Sequence, residues 1–168
     1  MDVVELHNRT VANFAELASG VAAGQWSAPT PCSDWDVRAL VNHVVGEERW
    51  TRPLMEGRTI AEVGNTLDAA PAGSIDKVHL SYGDEDPDEY LRQLAADHLV
   101  HGWDLAVATG AAPRMDADLV DDVATWFAKR EELYRSAGMI GEHLDGFTEP
   151  ADALLAAFGR NPRWSPAT

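Results

Sequence analysis

The sequence predicts an all-α fold, a four-helix bundle with a long crossover between its second and third helices. Three observations carry this expectation. Apolar residues return at three- and four-residue spacings in four segments. Capping residues, Gly and Pro fall at the ends of those segments. Residues 56 to 85 hold too many Gly, Pro, Asp and Ser for another long helix.

Val3, Leu6, Thr10, Phe14, Leu17 and Val21 share one helical face, so a first helix is expected to end near Gly20 or Gly24. The turn-rich SAPTPCSDWD follows, in which Ser33 and Asp36 have the spacing of a capping box. Val37, Leu40, Val41 and Val44 form the buried stripe of a second helix expected to run to about Trp50, before Pro53, Gly57 and Gly64 break the chain. Within the crossover, KVHLSY at 77 to 82 alternates enough for one short strand. Asp86 and Pro87 read as an N-cap with proline in the first turn, and Gly110 as a stop, which predicts a third helix over 87 to 109. A fourth begins near Asp116, buries Leu119, Val120, Val123, Trp126, Phe127, Leu133 and Tyr134, and ends at Gly138. A short fifth segment, ADALLAAFG, lies near the C-terminus. With no repeat, low-complexity tract or linker, residues 1 to 168 read as one domain.

Composition narrows the function. The formal charge of -15 repels phosphate backbones and anionic lipid surfaces, so neither nucleic acid nor membrane is an expected partner. No stretch approaches the roughly 20 apolar residues of a membrane span, and MDVVELHNRTVANF lacks the basic head and apolar middle of a signal peptide. A cytoplasmic protein is expected. One cysteine, Cys32, makes neither an internal disulfide nor a thiolate-rich metal site, so metal ligands must be His or carboxylate.

On the third helix Asp97, His101 and Asp104 lie within about 60° of one another, flanked by Leu94, His98 and Leu105, so the polar cluster faces the bundle interior. A buried carboxylate needs compensation, and a metal ion satisfies Asp97 together with two imidazoles. His43, beside the buried stripe of the second helix, is placed to supply the second ring. Each residue has a plainer reading: His43 as a hydrogen-bonded core histidine, Asp97 and His101 as a surface pair at four-residue spacing. Asp104 either ligates or, beside a coordinating His, orients its ring. His98, among leucines, suits a hydrogen bond to a neighbouring helix. Trp35, Trp50, Trp103 and Trp126 read as core or pocket wall, and Cys32 as a packed thiol or a thiolate favoured by the start of the second helix.

Three segments carry a family resemblance: TPCSDWDVRALVNHVVGE at 30 to 47, DHLVHGWDLAVATG at 97 to 110, and FGRNPRW at 158 to 164. They resemble the DinB/YfiT-like superfamily, in the actinobacterial branch related to the metal-binding N-terminal domain of mycothiol-dependent maleylpyruvate isomerase. The resemblance implies a four-helix bundle that holds a divalent ion through His43, Asp97 and His101. It implies Zn first, with Ni, Fe or Mn as alternatives, and a mycothiol-type thiol as cosubstrate. The isomerase looks to have Glu where this chain has Asp97, and to carry a C-terminal domain that this chain is expected to lack. Isomerisation of maleylpyruvate is therefore not the expected activity.

Two imidazoles and one carboxylate leave a coordination position open, the pattern of catalytic zinc. The leading expectation is a metal-dependent enzyme using a low-molecular-weight thiol for S-transfer to, or isomerisation of, a small electrophile, with Asp104 orienting His101. The alternative is a non-catalytic protein of the same fold that binds metal or small molecules. A third class, a structural homodimer with ordinary core polar groups, needs no metal.

Overall fold

The computed structural model of the chain describes residues 1–63, 78–80 and 83–166. Its elements run α1 (Val3–Ser19), α2 (Val37–Met55), α3 (Ile60–Val63), β1 (Val78–Leu80), β2 (Gly83–Glu85), α4 (Pro87–Thr109), α5 (Ala117–Phe127), α6 (Glu131–Ser136) and α7 (Pro150–Ala157). The architecture is all-α, with α1, α2, α4 and α5 as the bundle. No helix among the described residues is long and apolar enough to cross a membrane.

Helix α4 organises the rest. Asp86 caps it by accepting from the Asp88 amide, Pro87 occupies its first turn, and Gly110 ends it in the left-handed region at φ 73°. Fifteen of its 23 residues are buried, on every side, which marks it as the central helix. It packs along α1 most extensively, then against α2 and α5. Leu99, Val100 and Trp103 join Leu119, Val123, Phe127 and Leu155 in one core cluster. On its other side Leu105 and Ala108 meet Phe14, Val37, Leu40 and Val44.

Four expectations need correction. Ser33 does not cap α2: Asp36 does, its Oδ1 accepting from the Ala39 amide at 2.8 Å. The preceding loop folds back on itself, with Val37 N bonded to Ala28 O and the Thr30 hydroxyl to Trp35 O, and this holds Asp36 extended at the helix entrance. Helix α2 also runs past Trp50 to Met55 with Pro53 inside its last turns. Proline there forfeits one helical hydrogen bond, but Leu54 is carried into a cluster with Val3, Tyr90, Leu91 and Leu94, and packing overrides the local breaker. The single strand is half of a hairpin, β1 pairing antiparallel with β2 so that Val78 faces Glu85. Residues 77, 81 and 82 of the predicted strand, and Gly64, lie outside the described residues.

The fourth predicted helix is two. Helix α5 stops at Phe127, and a turn intervenes before α6. Arg130 at that turn reaches back to Glu85 and Glu89 at 3.3 and 2.6 Å, and Trp126 Nε1 donates to the same Glu89 at 2.9 Å. Tyr134, on α6, packs edge-on against Phe127, which also stacks on Phe158 at 3.9 Å between centroids. Beyond α7 the chain turns at Gly159, where φ is 76° and a Cβ would stand 2.8 Å from Gly141 Cα. Only glycine fits this backbone-to-backbone approach.

Gly159→Ala is therefore expected to cost at least about 2 kcal/mol, against about 1 kcal/mol for Gly110→Ala, where φ is also positive but a Cβ meets nothing. Urea denaturation of the two variants measures the difference. Equal losses would show that the Gly141 contact yields freely.

Candidate metal centre

Helix α2 carries His43, and α4 carries Asp97 and His101 one turn apart. His43 Nε2 lies 3.4 Å from Asp97 Oδ2, and His101 Nε2 lies 3.3 Å from Asp97 Oδ1. The two rings meet edge-on with centroids 5.2 Å apart. One ligand atom from each of His43, Asp97 and His101 lies within 4.8 Å of the others, a grouping that could hold a metal ion. Asp97 Oδ2 is buried without a hydrogen bond, because His43 approaches it without the alignment of one. Native interiors rarely leave such an atom unsatisfied. Burial would raise the Asp97 pKa, but the charges of His101 and His43 more than offset it and hold the group well below the usual carboxylate range. His101 is pushed well above its ordinary value by Asp97 and Asp104 in spite of its own burial. The indole of Trp35 lies over both rings, at 4.7 Å from His43 and 5.5 Å from His101.

Asp104, one further turn along α4, has no exposure and binds His101 Nδ1 at 2.9 Å. With Nδ1–H donated there, Nε2 is the nitrogen that faces Asp97 and His43. The geometry is that of an orienting residue. The sequence reading missed the group that makes this possible. Arg160 Nε lies 3.1 Å from both Asp104 oxygens, and its Nη2 donates to Cys32 Sγ at 2.9 Å. Burial would raise Asp104, but the His101 hydrogen bond and the Arg160 charge bring its pKa below the ordinary value. The signal was present in FGRNPRW, whose Phe158, Gly159 and Arg160 respectively stack, turn and clamp. Cys32 is brought to the site too, 3.4 Å from Asp104 Oδ2 and 4.0 Å from His101 Nδ1.

The remaining expected residues divide. Trp35, Trp50 and Trp126 line a cavity of about 880 Å³ that also receives His43, Asp97 and His101, whereas Trp103 is in the core. Glu47, which the sequence reading did not single out, lines this cavity as well. Burial raises its pKa, and the charges of Asp97 and Glu48 add to the effect against those of His43 and His98. His98 turns away from the cavity. Its Nδ1 meets the Thr10 hydroxyl of α1 at 3.4 Å, the interhelical bond expected of it.

Removing the guanidinium would leave Asp104 buried with only His101 and the weak Cys32 thiol as partners. Arg160→Met is expected to lower stability by about 3 kcal/mol, while Arg163→Met, on the exposed surface, changes it by less than about 1 kcal/mol. Urea midpoints compare them, and a small loss in Arg160→Met would show that His101 alone compensates the carboxylate.

Comparison with known proteins identifies the family. A family model described as the mycothiol maleylpyruvate isomerase N-terminal domain matches residues 8–89, which include His43 and Glu47 but stop short of Asp97, His101 and Asp104. Two relatives, uncharacterized proteins from two strains of Mycobacterium tuberculosis, are each 30% identical to it, across 97% of this chain and 100% of the relative. No solved structure matches the chain significantly. The chain belongs to the mycothiol maleylpyruvate isomerase N-terminal domain family.

Proposed function

We propose that this chain holds a divalent metal ion, zinc first, through His43, Asp97 and His101, and uses a mycothiol-type thiol for S-transfer to, or isomerisation of, a small electrophile. The observation that carries the reading is the Asp97 carboxylate between two imidazoles, His101 near Oδ1 and His43 near a buried, unbonded Oδ2, on the wall of a cavity. When bound, such an ion supplies a Lewis-acidic position at which a small thiol is held as its thiolate. Membership in a mycothiol-related family supports the choice of thiol.

The chain's own residues do the rest. Asp104 holds His101 Nδ1 and so keeps Nε2 toward Asp97, and Arg160 keeps Asp104 charged as it does so. Glu47, its carboxyl made more basic by burial, takes up the proton that an entering thiol gives up. Trp50, Tyr90 and Trp126 give the cavity an apolar wall for the electrophile and keep water from the reacting sulfur. This reading places the chain in the cytoplasm, where small thiols are kept reduced.

Co(II)-substituted protein tests it. Adding mycothiol or a similar thiol is expected to produce intense sulfur-to-metal absorption in wild type and in Cys32→Ser, and none in His43→Ala or His101→Ala. Absorption that precedes the thiol and vanishes in Cys32→Ser would make Cys32 a ligand and the site closed. Metal titration separates ligand from orienter. Asp97→Asn should weaken binding more than Asp104→Asn, whose loss is expected to be about 10- to 100-fold. The reverse order would exchange the two roles. Thiol-dependent turnover of a chlorinated aromatic checks that the site is catalytic.

A further inference from the structure

A second cluster of the same chemistry lies on the neighbouring face of α4. His7 of α1, Glu48 of α2 and His98 of α4 bring one ligand atom each within 4.8 Å of one another. His7 Nε2 and His98 Nε2 lie 3.0 and 3.1 Å from the same atom, Glu48 Oε1. The rings meet edge-on, with centroids 5.3 Å apart. None of the three lines the large cavity.

His98 distinguishes this cluster from an ordinary ion pair. Its side chain has no exposure, yet Nε2 has no hydrogen bond of acceptable alignment. Its other nitrogen meets Thr10 Oγ1 at 3.4 Å, and that hydroxyl lies 3.1 and 3.0 Å from the carbonyls of Leu6 and His7. Its single proton goes to those carbonyls, so Oγ1 accepts from His98 Nδ1–H. That leaves Nε2 as the bare lone pair, aimed at a carboxylate oxygen. Two acceptors facing each other in a buried place need either a proton or a metal cation between them.

From these contacts we infer a second metal site of zinc type, formed by His7, Glu48 and His98. Two imidazole nitrogens and one carboxylate oxygen suit zinc or a neighbouring first-row dication. The present spacings are a few tenths of an ångström short of the roughly 3.3 Å expected around a tetrahedral ion. Rotation of Glu48, whose side chain is 26% exposed, supplies the difference. Because its ligands come from three helices and stand apart from the cavity, an ion here staples α1 to α2 and α4 and acts structurally.

The test uses the full chain, stripped with chelator and titrated with Zn(II). Wild type is expected to bind two ions, His43→Ala and His7→Gln one each, and the double variant none. In His43→Ala, Zn(II) should raise the melting temperature, and should not do so once His7→Gln is added. Loss of an ion in His7→Gln supports the second site even if His43→Ala changes nothing, an outcome that would sink only the first. A count that His7→Gln and Glu48→Gln both leave unchanged overturns the inference. Nitrogen-15 spectra of the imidazoles in His43→Ala give a measurement that leaves the second site unaltered. Zn(II) should shift His98 Nε2 while Nδ1 stays protonated, and an unmoved Nε2 overturns the proposal.

Discussion

A carboxylate with no access to water, Asp104, is the constraint on which the rest of the site depends. In the middle of a buried helix it must be compensated, and the compensation comes from two directions. His101 Nδ1 meets it from the preceding turn of α4, and Arg160 from the chain beyond α7. The first contact decides which nitrogen of His101 faces Asp97. The second requires the C-terminal segment to return to α4, which Gly159 allows by passing Gly141 at a distance no side chain tolerates. The same guanidinium touches Cys32 and so ties down the loop that enters α2. One buried charge thus joins the loop before α2 and the C-terminal segment to the face where His43 stands.

Helix α4 distributes its polar residues to different neighbours because it is enclosed on all sides. Asp97 and His101 look toward α2 and the cavity, His98 toward α1, and Asp104 toward the C-terminal segment. On a surface helix most of these groups would be solvated and without consequence. At the centre each needs a partner, and the partners come from other elements. Glu48 illustrates the result. Burial would raise its pKa, but the His7 hydrogen bond and the two imidazoles beside it bring it down to about 2.

The basic residues of this acidic chain follow a similar economy. Arg9 pairs with Asp116 and Asp118, Arg92 and the N-terminal ammonium with Asp122, and Arg130 with Glu85 and Glu89. Each pair crosses between elements. Pairs still in partial contact with solvent, as these are, contribute little individually.

Local chemistry was legible in the sequence wherever it acts within a few residues. The bounds of α4 follow from Asp86, Pro87 and Gly110, and the shared face of Asp97, His101 and Asp104 follows from helical periodicity alone. His43 was found because it borders a clear apolar stripe. Decisions made by distant contacts were not legible. Pro53 marks a break in sequence, yet the helix continues because Leu54 gains a core beside Tyr90. Ser33 and Asp36 fit a capping box, yet hydrogen bonds back to residues 28 and 30 assign the cap to Asp36 alone. Arg160 stands 56 residues from Asp104 in sequence and His7 stands 41 from Glu48, separations that no periodicity registers. The sequence by itself therefore determined the helices and the residue types that carry chemistry, because those depend on neighbours along the chain. The tertiary structure alone decided which of them meet, because a buried charge chooses its partner by proximity in space.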